Sequence, residues 1–305
     1  MKTQITRRNA MMIGGSLPMI LAVPAMAQDA APQAAPLGRA HSFTLGRFQV
    51  ATLLAGSGMR EDPFGTFGLN AEKADFEKIS AQNFIPSDKA GSSMTPTLVR
   101  AGDAVILFDA GMVPAQTVAS LAQAGVLPDQ VTHVVLTHMH GDHVGGLMQG
   151  ETPTFPNAEL IVPKAENDYW AANPSDAYDA KVKPLIGKAR QIGDGDEIAP
   201  GITAEAAHGH TAGHTTYLLE SEGQRLLISG DSFTHYVYSV QRPEWQVRFD
   251  MDKEQGIAAR KAVLVRLANE AIPFVGYHMP YPAVGFIAPN SAGSYRYVPA
   301  TYQLG

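Results

Sequence analysis

The 305-residue sequence contains no cysteine. Disulfides are therefore excluded, and any metal must be held by nitrogen and oxygen ligands alone. Charge is also scarce. Asp, Glu, Lys and Arg make up 17% of the chain, with 29 acids against 23 bases and a formal charge of −6. That balance lacks the basic footprint a nucleic acid requires. Past residue 40 no apolar run reaches the roughly 18 residues a membrane span needs. Nor is there a fixed-period repeat or a low-complexity tract beyond that point. An apolar content of 45% in a chain of this length supplies an ample core for a globular fold.

Residues 1–27 read as an export signal. Arg7-Arg8 sits in an early polar region, a moderately apolar stretch follows over 10–23, and Ala25-Met26-Ala27 has the small-x-small form of a cleavage site. The run Thr6-Arg7-Arg8-Asn9-Ala10-Met11-Met12 resembles a twin-arginine signal. Gly14, Gly15, Pro18 and Pro24 interrupt the stretch, which argues against a lasting anchor helix. The expectation is a periplasmic or secreted protein with no stable membrane anchor after signal removal. Loss of this segment takes away Lys2, Arg7 and Arg8 and no acid, leaving −9. Residues 28–40 form a Pro/Ala linker, and 41–305 a single functional domain.

Within 41–305, strand and helix patterns alternate, which predicts one α/β domain. Residues 43–54 read as a pair of short strands or one bent strand, and 56–68 as a loop. A helix over 71–81 is capped by Asn70. Residues 96–100 and 104–108 pair across a turn. Pro114 opens and Gly125 closes a helix with Val118, Leu121 and Ala122 facing inward. Residues 131–136 and 159–162 are further strands, and a long helix over 257–271 takes Asp250 or Asp252 as its cap.

The stretch Thr137-His138-Met139-His140-Gly141-Asp142-His143-Val144-Gly145-Gly146 organises the rest. It follows the apolar run Val134-Val135-Leu136 and packs three imidazoles and a carboxylate into six residues. These are ligands for zinc and similar divalent ions, and four of them exceed what one tetrahedral ion takes from a single loop. Two adjacent ions are the natural reading. A His-rich solvated loop is the bland alternative. Against it, three other apolar runs also end in His or Asp, at His208 to His214, at Gly230-Asp231 and at His278. That is how a sheet presents ligands along one edge.

The pattern H-x-H-x-D-H, with a later Gly-His, Gly-Asp and late His, resembles the metallo-β-lactamase superfamily. Phe108-Asp109-Ala110-Gly111 matches its first motif. Within it, the sequence is similar to methyl parathion hydrolase and related metal-dependent lactonases from about residue 90 onward. Gly145-Gly146-Leu147-Met148, Phe155-Pro156-Asn157-Ala158, Asp168-Tyr169-Trp170, residues 208–217 and Tyr297-Val298-Pro299 carry that likeness. The resemblance implies a four-layer αβ/βα sandwich. It places His138, His140 and His214 on one ion and Asp142, His143 and His278 on a second, with Asp231 bridging both. His208, His210 and Asp109 become supporting residues, and His41, His133 and His235 take no role, although His235, four residues after Asp231, could reach the pocket.

The implied chemistry is hydrolysis by a hydroxide shared between two divalent ions, with Asp142 and Asp231 as catalytic carboxylates. Zinc is the first candidate, with manganese, cobalt or iron as alternatives. Small neutral esters are the expected substrates, above all lactones of the acyl-homoserine type, with phosphotriesters as the alternative. A metal-binding module without activity is disfavoured by the complete ligand set. The sequence departs from organophosphate-cleaving relatives in the 111–114 loop, in the 171–201 segment, where Tyr178 is the one aromatic, and at Phe286. The pocket is therefore assigned to Trp170, Phe64, Phe67, Phe84 and Phe233. A homodimer is a family-level expectation.

Overall fold

Ile106 and Phe108 point to one side of their strand and Leu107 to the other, yet all three are buried. A strand buried on both faces lies inside a layered molecule, and this alternation sets the architecture. Ile106 and Phe108 join a core between two sheets with Val135, Ile161, Tyr217, Leu226 and Ile228. Leu107 belongs to a second core with Leu98, Val134, Leu136 and Val162, covered by Leu121 of the helix Pro114–Gln123. A third packs Leu218, Leu227 and Phe274 against Leu264 and Leu267 of the helix Lys253–Glu270. The computed structural model, which describes residues 38–290 and 293–304, is thus a four-layer αβ/βα sandwich. The expected export signal and most of the linker lie outside the described residues.

The first sheet runs, in spatial order, Ala40–Leu45, Phe48–Leu53, Thr97–Ala101, Ala104–Phe108, His133–Val135, Glu159–Pro163 and Arg190–Ile192. Its first four strands are antiparallel and its last four parallel. The second sheet runs Glu197–Ala199, Ile202–Ala206, Thr215–Ser221, Gln224–Ile228, Phe274–Val275, Val284–Pro289 and Tyr295–Pro299. The loops that follow His133–Val135, Gln224–Ile228 and Phe274–Val275, and the one that precedes Thr215–Ser221, meet at one edge. That edge carries the site.

Several local expectations change. Residues 38–40 belong to the fold and not to a linker, since Leu54 N–H already donates to Arg39 O (2.9 Å) and a strand starts at Ala40. Gly56–Glu61 is a strand, not a loop, paired with Lys89–Met94. Its Gly-Ser-Gly start and almost continuous exposure leave no apolar alternation to read. The 71–81 helix begins at Lys73 with Glu72 before it. Asn70 is engaged instead with Glu244 O (3.1 Å) and Gln246 N–H (2.7 Å). In Pro114–Gln123 the inward face carries Thr117 and Ser120 with Leu121, while Ala122 is exposed. Their hydroxyls satisfy Ala110 O (2.6 Å) and Leu54 O (2.7 Å), carbonyls that would otherwise be stranded under the helix. Lys253–Glu270 starts earlier than expected, with Asp252 accepting from Gln255 N–H at 2.9 Å. Asp250 has another task.

Candidate metal centre

Side-chain nitrogens and carboxylate oxygens from four loops converge at the sheet edge. His138, His140 and His210 offer ligand atoms within 4.8 Å of one another. So do His138, His143 and Asp231, and likewise Asp142, His143 and His278. Asp231 is central: one oxygen lies 3.3 Å from His143 Nε2, the other 3.3 Å from His210 Nε2 and 3.2 Å from His278 Nε2.

Where each imidazole keeps its proton decides whether it can bind a cation. His143 Nδ1 donates to Asp109 Oδ2 (2.8 Å), His210 Nδ1 to Asp250 Oδ1 (3.0 Å) and His278 Nδ1 to Ser93 O (2.7 Å). Thr137 spends its hydroxyl proton on Asp109 (2.8 Å) and so accepts from His138 Nδ1 (3.0 Å). All four thus aim Nε2 inward. His140 turns the other way, its Nδ1 lying 3.1 Å from both His138 Nε2 and His210 Nε2. His143 Nε2 and Asp231 Oδ1, fully buried, have no hydrogen-bond partner among the described residues. Buried polar atoms left unpaired are costly. Here they face one another across a set of N and O donors suited to zinc-like ions.

His214 does not join this set. Its Nδ1 donates to Ala207 O (3.1 Å) and its Nε2 accepts from Asp231 N–H (2.9 Å), so both nitrogens are used on backbone. Burial pushes its pKa down to about 3, which keeps that acceptor unprotonated. The structure thus brings His210 to the cluster and leaves His214, expected there from the sequence, bonded to backbone. The reason is local: His214 adjoins the strand Thr215–Ser221, between the layers, while His210 sits out on the turn. Gly230 makes the contact possible at φ +49, where an added Cβ would lie 2.7 Å from His214 Nε2.

The proton balance follows from charge. Burial holds His138 and His140 below the usual imidazole range, His140 at about 3, and neighbouring imidazoles add to the effect. Burial would depress His143 and His278 as well, but facing carboxylates, Asp231 foremost, outweigh it and hold His278 at about 10. Asp231 and Asp142 are correspondingly held low by His278 and His143 against the opposing effect of burial. In the metal-free chain His143 and His278 are thus protonated at neutral pH. Zinc binding at pH 7 is expected to release about two protons per chain. Calorimetry in buffers of different ionisation enthalpy checks this, and a buffer-independent heat would contradict it.

Three buried acids hold the ligands. Asp109, at φ 60, anchors His143 and the Thr137 N–H and hydroxyl together. Asp250 orients His210 and is held by Arg260, itself 1% exposed, whose Nη2 lies 2.5 Å from Asp250 Oδ2. Glu166 ties the Met139 N–H (2.9 Å) to the Gly213 N–H (2.8 Å), fastening two ligand loops. Asp250→Asn is expected to weaken metal binding about 10- to 100-fold in chelator competition. Arg260→Met leaves the buried Asp250 carboxylate with His210 but without its cation and should cost about 3–5 kcal/mol in urea unfolding. A loss under about 1 kcal/mol would show that Arg260 is dispensable.

Of the aromatics assigned to the pocket, only Phe67 lines the cleft over the cluster. Trp170 donates its indole N–H to Glu166 (2.7 Å) and meets His140 edge-on, 6.3 Å between ring centroids. Phe64 packs edge-on against Phe76, and Phe233 is buried against Phe274. Phe84 is 98% exposed. The cleft, of about 640 Å³, is walled instead by Met59, Met94, Met112, Phe67 and Phe249, with Thr234 near Asp231. Arg60 lies 4.7 Å over the Phe249 ring. Tyr277, which no sequence signal marks, stacks on His143 (3.8 Å) and donates to Asp142 O (2.6 Å).

Fold and site together define an αβ/βα sandwich with a metal-ligating edge. The profile of the metallo-beta-lactamase superfamily matches residues 95–265, more than half of the sequence, and the chain belongs to that superfamily. An N-acyl homoserine lactonase of Bacillus sp is 35% identical over 117 residues, 37% of this chain and 44% of that protein. The uncharacterized protein YobT of Bacillus subtilis (strain 168) is 30% identical over 144 residues, 45% of this chain and 60% of its own. The chain therefore spans about half the length of these relatives. AidC, a dizinc quorum-quenching lactonase solved with a product, superimposes with TM-score 0.80 at 22% identity, over 88% of this chain and 99% of that one. The hydrolase AbOPH gives 0.78 at 23%, over 87% and 98%. At such identities the likeness is one of fold.

Proposed function

We propose that the chain is a dinuclear metal-dependent hydrolase of small neutral esters, above all lactones of the acyl-homoserine type. One observation carries this reading: inward-facing ligand atoms, four of them on imidazoles whose Nδ1 is held from the outer side, grouped around a shared carboxylate. The curated likeness to N-acyl homoserine lactonases supports the substrate class. Bound divalent ions, zinc first among them, would polarise the ester carbonyl and lower the pKa of water toward neutrality.

His138, His140 and His210 would hold one ion and Asp142, His143 and His278 the other, with Asp231 available to both. Asp231 is then placed to take and return the proton that moves from water to the leaving oxygen. Tyr277 keeps Asp142 and His143 in register through its ring and hydroxyl. The Met and Phe walls exclude water and suit an uncharged substrate, while Arg60 and Glu61 at the rim offset each other.

Phosphotriesters are the competing substrates, since an apolar cleft of this size also admits an aryl phosphate. Steady-state rates for a γ-lactone and a paraoxon-type ester on one zinc-loaded preparation separate the two. The lactone is expected to lead in kcat/KM by about tenfold or more, one 1.36 kcal/mol step in the barrier. A lead for the phosphotriester reverses the substrate assignment, and turnover of neither overturns the hydrolase reading.

A further inference from the structure

A second cavity, of about 590 Å³, adjoins the cleft and shares Gly58, Met59, Ser92 and His278 with it. Its lining includes His235, which is only 4% exposed and which nothing above employs. The His235 ring is held by stacking on Tyr238 (4.3 Å) and Tyr236 (5.0 Å), with Phe67 tilted against it at 5.1 Å. Its Nδ1 accepts the backbone N–H groups of Val237 (3.1 Å) and Tyr238 (3.2 Å). An imidazole nitrogen that accepts cannot carry the proton, so Nε2 does. The hydrogen bonds of His235 among the described residues are the two at Nδ1, so its Nε2–H is left without a protein partner, and the residue lines the cavity.

Asn, Asp or Ser would satisfy the two backbone N–H groups equally well, with no second polar atom to leave unpaired. Histidine at this position makes sense where something in the cavity accepts from Nε2. The same cavity has Met59, Ile85, Pro86 and Pro280 in its wall beside Ser57, Ser92 and Ser93; Lys89 is exposed, and His278 stands where the cavity meets the cleft. Burial pushes the His235 imidazole down to about 3, so it offers a hydrogen bond without a charge. A donor of that kind, among apolar walls, suits a carbonyl and not a carboxylate or phosphate.

We propose that this second cavity receives the arm of the substrate that does not react, and that His235 Nε2–H binds a neutral carbonyl on it, as in the amide of an N-acyl lactone. The proposal rests on the lactone reading and adds a specificity-determining residue to it. The reacting ester would sit over Asp231 and His278, and the amide would lie beyond the wall that the two cavities share.

The test uses the full zinc-loaded chain and two substrates, N-hexanoyl-homoserine lactone and an alkyl γ-lactone of similar length without the amide. His235→Asn keeps an oxygen near the Nδ1 position for Val237 and Tyr238 but removes the donor. His235→Gln carries an amide N–H near the Nε2 position and gives up the cap. His235→Asn is expected to lower the kcat/KM ratio of amide to amide-free lactone about tenfold, mainly through KM, at unchanged zinc content. His235→Gln should recover most of that ratio while melting at a lower temperature. A ratio unchanged in His235→Asn, or equal losses on both lactones, overturns the proposal. If the unsubstituted enzyme cleaves neither lactone, the functional reading itself fails, and the proposal falls with it.

Discussion

Asp231→Ala is expected to lower kcat on a lactone by about a thousandfold or more while leaving the chain folded. Its carboxylate is the one group near three inward imidazoles, at 3.3 Å from His143, 3.3 Å from His210 and 3.2 Å from His278. Without it the two halves of the ligand set share no anion, and no base stands between them to move a proton. Charge stabilisation at such a site is worth several kcal/mol, and each 1.36 kcal/mol is a factor of ten. The fold should survive because Asp231 belongs to none of the apolar cores. His143→Ala should behave alike in turnover, although it also takes one partner from Asp109 and unstacks Tyr277. Steady-state kinetics beside thermal unfolding check both. A kcat within about tenfold of the unsubstituted enzyme in either variant would remove that residue from the machinery.

The second large effect separates two histidines that the sequence leaves almost equivalent. His210→Ala is expected to cost about a thousandfold in kcat and to lower the zinc content, because its Nε2 faces both His140 and Asp231. His214→Gln should cost about 10- to 100-fold, since His214 acts by holding the Asp231 N–H and a glutamine oxygen can accept from the same group. Zinc content at saturation should stay whole in that variant. Metal analysis and kcat on the same preparations decide the matter. The opposite order, with His214→Gln losing metal and His210→Ala keeping it, would restore His214 as the ligand.

The pair shows what could be read from the sequence and what could not. Apolar runs that stop at His or Asp mark strand ends, so the sheet edge and most of the residues gathered there are legible from spacing. His210 and His214 both follow a glycine in one loop, and only the path of the chain shows which of them packs between layers. Asp250 read as one of two helix caps, because its partners His210 and Arg260 lie 40 positions before it and 10 after it. Glu166 gave no signal, since a single acid on a short helix is ordinarily solvated. The wall Gly56–Glu61 carries no period-2 pattern and pairs with residues about 30 positions later. Aromatic counting misled for a physical reason: Phe64 and Phe233 fill cores and Phe84 faces solvent, while methionines line the cleft.

A pair of cations held at this edge is central to the proposed chemistry, and anomalous scattering from zinc-soaked crystals tests for it most directly. Two peaks per chain are predicted, roughly 3.5–4 Å apart, with Asp231 between them and His210 touching one. A single peak, or zinc bound away from Asp231 and His143, would contradict it.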